Sequence, residues 1–274
     1  KLVYAVNTNK KVFVIYGGSG ALFGFDGSQI DEALGGEYVD VNLGSNVNIS
    51  SAFYFDWLSD VLDEDDVLLW SPEAGEAVLG RTSLTWYTYA LNAGHYDILR
   101  YVDATKFTGL FNAYQTYAQN HSGSQQPFEK CSLGYTAYGD SADGASRVHS
   151  KEGSMYASSY NRVGGYFGGS MYKYCASLIK DMSDKGIHVY HAFAAMDKNS
   201  PDFAGDMTWI NTYTEKLAAQ FPGMTLVGDY KTSLVPTETL YDSEWHLIWD
   251  GAVQRTSKLV PELVSQMKED GIIK

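Results

Sequence analysis

Apolar and polar positions along this chain fall into two kinds of block. Short apolar runs closed by Gly, Ser or Pro read as buried strands. Longer stretches with apolar residues every three or four positions read as helices. The first run, Val12-Phe13-Val14-Ile15-Tyr16, stops at Gly17-Gly18. Residues 28–34 predict a short helix, and 38–43 predict a second strand ending at Gly44. Residues 50–62 follow as a helix, with Phe53, Phe55, Trp57, Leu58, Val61 and Leu62 as its apolar positions. An acidic turn, Asp63-Glu64-Asp65-Asp66, leads to the third strand, Val67-Leu68-Leu69-Trp70, which ends at Ser71-Pro72-Glu73. Helices are expected near 84–91, 104–119, 171–183 and 209–220, with strands over 187–195 and 225–228. An amphipathic helix over 253–267 closes the chain.

Strands alternating with helices predict an α/β fold, three-layer α/β/α, with a mainly parallel sheet covered on both faces. One domain over residues 1–274 accommodates the whole pattern. Residues 119–169 break it. They are rich in Gly, Ser, Tyr and Asn and show little periodicity, which predicts an irregular insertion, either a cap over the site or a poorly ordered segment.

Composition narrows the function. The formal net charge is −13, the opposite of what contact with nucleic-acid phosphates requires, so a nucleic-acid partner is not expected. Tyrosine is abundant, 21 residues against 12 Phe. Its apolar ring and polar tip suit a wet cleft for sugars or polar esters, although ordinary half-buried packing explains most such residues. No apolar run is long enough to span a membrane. The chain opens on Lys1 rather than Met, so a leader or tether upstream is an expectation. Cys131 and Cys175 are too few for a disulfide scaffold; they either pair in an oxidising compartment or both stay free.

Candidate chemistry gathers at two places. Ser19 follows the first strand, where open α/β sheets place ligands and reactions, and the glycines around it admit a substrate close to the backbone. A serine there is a candidate nucleophile. Near the C terminus, Asp242 precedes His246 by four residues in Asp242-Ser243-Glu244-Trp245-His246. One loop thus offers a histidine base and a carboxylate to fix its tautomer. Three rival motifs are weaker. Gly18-x-Gly20-x-x-x-Gly24, with Asp40 on the next strand, looks like a dinucleotide fingerprint, but residues 24–28 interrupt the helix it needs. His188 and His191 lie three apart on a strand and so face opposite sides, which disfavours a metal pair. The acidic run 63–66 lacks the glycine and alternating ligands of a calcium loop.

Together these segments resemble the SGNH (GDSL-type) hydrolases. They are closer to the extracytoplasmic SGNH-like proteins that accompany membrane-bound O-acyltransferases, the broad group that includes D-alanyl transfer proteins. The resemblance rests on Gly17-Gly18-Ser19-Gly20-Ala21-Leu22-Phe23-Gly24-Phe25-Asp26, on Gly44, on Gly134-Tyr135-Thr136-Ala137-Tyr138-Gly139-Asp140 and on Asp242 through His246 with the run 251–256. It implies a flavodoxin-like SGNH fold, with Ser19 as nucleophile, His246 as base and Asp242 as its orienter. The N–H groups of Ser19 and Gly44 would hold the oxyanion. The family's third block ends on an asparagine, whereas this strand ends on Trp70-Ser71-Pro72-Glu73. Asn46 and Asn48 are the nearest substitutes, and Glu73 is either a substrate contact or a strand-end carboxylate near solvent. The resemblance further implies ester chemistry, as esterase or O-acyltransferase, on a cell-surface polysaccharide or a small ester outside the cytoplasm. A membrane-bound O-acyltransferase would be the protein partner, and no cofactor or metal is required. Two alternatives stay open: a catalytically degenerate accessory or carbohydrate-binding protein, and a nucleotide-binding domain.

Overall fold

The structure, a computed structural model, describes residues 2–44, 51–73, 96–101, 109, 118, 136–141, 146–150 and 169–274. Its strands are β1 (Lys11–Tyr16), β2 (Tyr38–Asn42), β3 (Val67–Trp70), β4 (His188–His191), β5 (Met196–Asp197), β6 (Met224–Leu226) and β7 (Leu234–Val235). Its α-helices are α1 (Leu2–Ala5), α2 (Ser19–Leu22), α3 (Gly27–Ala33), α4 (Ser51–Val61), α5 (Ser170–Asp184), α6 (Thr208–Gln220) and α7 (Trp249–Glu269). Five strands form one parallel sheet in the order β2-β1-β3-β4-β6, and β5 pairs with β7 separately. The fold is three-layer α/β/α, with the strand order of flavodoxin-type sheets.

The alternation of side chains along each strand builds the two faces. Val12, Val14 and Tyr16 of β1, with Leu68 and Trp70 of β3, join the cluster that α4, α5 and α6 cover. Phe13 and Ile15, with Val67 and Leu69, point the other way and pack under α3 and α7. Both faces are buried, which is why these strands read as continuous apolar runs rather than as alternating ones. Helix α7 buries Ala252, Thr256, Leu259, Leu263 and Met267, spaced three or four apart as one stripe, with Arg255 beside it. Asp26 starts α3 by accepting from the Ser28 N–H. No helix among the described residues is long and apolar enough to cross a membrane.

The expected strand over 187–195 is shorter in the structure. It stops at His191, and residues 192–195 leave the sheet while staying buried. Ala195 joins Val235, Leu240, Leu247 and Ala252 in a separate small core beneath the C-terminal loop. The apolar run there reflects burial rather than pairing. The expected helices near 84–91 and 104–119, residues Asn46, Asn48 and Cys131, and most of the insertion 119–169 lie outside the described residues. Cys175 is buried as a free thiol, and burial pushes it up to about 12.

Candidate active site

The chain runs from β1 to β2 on one side of the sheet and places β3 on the other. The C-terminal end of β1 is therefore the switch point, where the loops of an open sheet diverge and leave a crevice. Ser19 lies there, in the first turn of α2. Gly18 precedes it in an extended conformation, and a Cβ at Gly18 would lie 2.1 Å from Oε2 of Glu73. A side chain at Gly18 would displace the Glu73 carboxyl from its place against α2.

The loop before α7 supplies the partners. Leu240 and Leu247 form an isolated antiparallel bridge, and the Tyr241 N–H donates to the His246 carbonyl at 2.8 Å, so residues 241–246 form a closed loop. The Ser243 hydroxyl accepts from the backbone N–H groups of Trp245 and His246 inside it. Buried Leu247 anchors the loop to the small core. His246 Nε2 lies 2.7 Å from Ser19 Oγ, and its Nδ1 lies 2.5 Å from Asp242 Oδ1. With Nδ1 protonated and donating to Asp242, Nε2 is left to accept the serine proton. The three side chains named from the sequence thus meet in a hydrogen-bonded chain. The Phe23 ring lies 4.6 Å from the imidazole, and the Arg147 guanidinium lies over the Phe23 ring at 4.8 Å. The described part of the insertion borders this loop, with the Ser150 N–H donating to the Tyr241 carbonyl and His149 Nδ1 against the Leu240 carbonyl.

The second proposed oxyanion donor is engaged elsewhere. The Gly44 N–H donates to the Asn42 Oδ1 at 2.7 Å. Asn42 is itself held, its Nδ2 donating to the Ala21 carbonyl and to Asp140 Oδ1. Asp140 is buried and also accepts from the Gly27 N–H, and burial raises its carboxyl above the usual carboxylate range. A Cβ at Gly44 would lie 2.2 Å from the Leu22 nitrogen, so the glycine is required by its contact with α2 whatever its N–H does.

Two further residues border the site: Glu73, which the sequence left between a substrate contact and a strand-end carboxylate, and Arg255, which it gave no role. Glu73, three positions beyond β3, is half-buried and turned toward α2. Its Oε1 accepts from the Gly20 N–H at 2.6 Å, and Ser19 and His246 both act on the carboxyl. Burial raises it above the usual range, while the Gly20 N–H, its own N–H, His246 and the Ser19 hydroxyl act in the opposite sense. Its signal in the sequence is position, since it leaves the same sheet edge as Ser19. Arg255 of α7 is fully buried. It donates to the Gly24 carbonyl (2.8 Å), Ser71 Oγ (3.0 Å) and the Phe193 carbonyl (2.6 Å). Its guanidinium also stacks over Phe25 at 4.2 Å, and desolvation pushes it down to about 9. One cation thereby ties together the loops that follow β1, β3 and β4.

The rival motifs read differently in three dimensions. The glycine segment makes only the single turn of α2 before a new helix starts at Gly27, and Asp40 is buried on β2. His188 faces Asp65 at 3.8 Å, while His191 is buried between the rings of Trp70 and Phe193 on the opposite face. No family model matches this chain, and no curated protein matches it.

Proposed function

We propose that the protein is a serine acyl-ester enzyme of the SGNH type, an esterase or O-acyltransferase. The observation that carries this reading is the chain Ser19 Oγ–His246 Nε2–Asp242, with spacings of 2.7 and 2.5 Å. In the first step His246 Nε2 takes the Ser19 proton as Oγ attacks the carbonyl carbon of an ester. The imidazolium, stabilised by Asp242, then returns that proton to the departing alcohol and leaves an acyl group on Ser19. In the second step the acceptor, water or a sugar hydroxyl, gives its proton to His246 and takes the acyl group. The Ser19 N–H sits in the first turn of α2, where backbone donors have no acceptor within the helix, and is the backbone donor proposed for the oxyanion. The resemblance of the segments around Ser19 and His246 directs the substrate reading to an acylated cell-surface carbohydrate, outside the cytoplasm, with a membrane-bound O-acyltransferase as partner.

The test is steady-state hydrolysis of p-nitrophenyl acetate by the wild type, Ser19→Ala and His246→Ala. Turnover lost by about 10³-fold or more in both variants supports the reading. Equal turnover in all three proteins contradicts it. A second reading has one observation in its favour. The Gly20 and Gly44 N–H groups are both taken by side-chain acceptors, as in a site no longer used for catalysis. An inert wild type would favour this non-catalytic accessory role.

A further inference from the structure

Glu73 stands beside the candidate nucleophile, against Gly18 and Gly20. It leaves β3 at the same sheet edge from which β1 delivers Ser19, and Tyr16 and Trp70 are register partners at the ends of those two strands. Its carboxyl lies along three consecutive residues. Oε1 accepts from the Gly20 N–H, the Ser19 hydroxyl is among the groups that act on the carboxyl, and its two oxygens lie 2.1 and 2.5 Å from where a Gly18 Cβ would be.

An ionised carboxylate beside Ser19 opposes acyl transfer, because it repels the charge that develops on the substrate carbonyl oxygen. A neutral carboxyl removes that repulsion. Oε1 continues to accept from the Gly20 N–H as a carbonyl oxygen, and the other oxygen carries a proton to donate. Resting on the Ser19 reading above, we propose that Glu73 acts protonated, as an oxyanion donor, and that its ionised form holds the site closed.

The proton balance is simple. As Ser19 Oγ bonds to the carbonyl carbon, its proton goes to His246 Nε2, and the carbonyl π pair becomes the oxyanion lone pair that accepts from the Glu73 O–H. When the tetrahedral intermediate collapses, the pair re-forms C=O, the leaving alkoxide takes the proton from His246, and Glu73 keeps its own.

Among the described residues, the groups facing the Glu73 carboxyl come from three elements. They are the Ser19 hydroxyl and Gly20 N–H of α2 and His246 from the loop before α7, with the Tyr16 hydroxyl of β1, bonded to Ser51, acting on it more weakly. Arg255 reaches Ser71 Oγ two residues before Glu73 and so bears on the segment that holds the carboxyl. Burial is the largest influence on the carboxyl and favours its proton. His246 must be neutral to act as base and Glu73 must be protonated to donate, so kcat/KM rises and then falls with pH. Because the two groups interact, the apparent pKa values belong to the pair.

The test compares the pH profile of p-nitrophenyl acetate hydrolysis for the wild type, Glu73→Gln and Glu73→Ala, with Ser19 acylation read in parallel by intact mass. Glutamine keeps the acceptor on Gly20 and supplies a permanent donor. Glu73→Gln is therefore expected to lose the alkaline fall, its ratio to wild type growing about tenfold per pH unit on that side. Glu73→Ala is expected to fall about 10²–10³-fold below Glu73→Gln. Carboxyl 13C NMR of the wild type, which needs no variant to fold, is expected to show Glu73 binding its proton above the usual carboxylate range. A Ser19 adduct together with a pH-independent ratio, or a Glu73 that titrates as an ordinary carboxylate, overturns this inference alone. A wild type that forms no Ser19 adduct overturns the Ser19 reading and the inference with it.

Discussion

The glycine turn after β1 and the loop before α7 bring the two halves of the site together in opposite ways. The turn is an inner structure. Gly20, Ala21 and Leu22 are buried, Glu73 lies against it, and Arg255 pins the chain at Gly24. The loop is an outer one. It hangs from the Leu240–Leu247 bridge, and the Asp242 side chain is 50% exposed while that of His246 is 18% exposed. Each half presents a carboxyl to the Ser19–His246 pair, Glu73 from within and Asp242 from solvent. Asp242 is open to water, whereas burial raises the pKa of the Glu73 carboxyl. Environment, rather than residue type, separates the two roles.

Removing the pin from the inner half gives the largest expected effect on stability. Arg255→Met leaves the Gly24 carbonyl, Ser71 hydroxyl and Phe193 carbonyl without their shared donor. The predicted loss is about 3 kcal/mol in urea denaturation, with hydrolysis falling further than the folded fraction accounts for. An unchanged denaturation midpoint would mean that the inner half is not held this way. In the outer half, Asp242→Asn is predicted to lower kcat/KM by about 10²-fold, short of the ~10⁴ typical where the triad carboxylate is buried, and added salt should narrow the gap from wild type. A loss as deep as that of Ser19→Ala would erase the distinction between the halves.

A third and smaller effect comes from below the inner half. His191 is buried, and desolvation pushes it down to about 3. Its folded-state pKa lies below the unfolded value near 6.5, so its neutral form contributes stability that is complete above about pH 6.5 and lost as pH falls toward 3. Between about pH 7.5 and pH 5 the loss is about 2 kcal/mol. His191→Phe, flanked by Trp70 and Phe193, should flatten that part of the acid dependence. The same slope in variant and wild type would place the acid sensitivity elsewhere.

The outer half was the more legible in sequence. Asp242 and His246 lie four residues apart, and local spacing is enough to relate them. Ser19 was legible because a buried apolar run ending in glycines marks a strand end at a sheet edge. The surroundings of Ser19 were not legible in the same way. Glu73 reaches Gly20 through the register of β3 against β1, and Arg255 reaches Gly24 across 231 positions of sequence. Such contacts are set by packing and leave no local pattern. The four-residue helix α2 and the two-residue strands β5 and β7 were missed for a related reason, being too short for a hydrophobic period to repeat. Residues 192–195 misled in the other direction, since their burial, divided among the two main cores and the small core, mimics a strand.

The most direct measurement is a fluorophosphonate reaction followed by intact mass and peptide mapping of the wild type and Ser19→Ala. The account predicts one adduct, formed as Oγ displaces fluoride and mapping to Ser19, absent from Ser19→Ala and much slower in His246→Ala. A wild type that stays unmodified, or an adduct that survives Ser19→Ala, would contradict it.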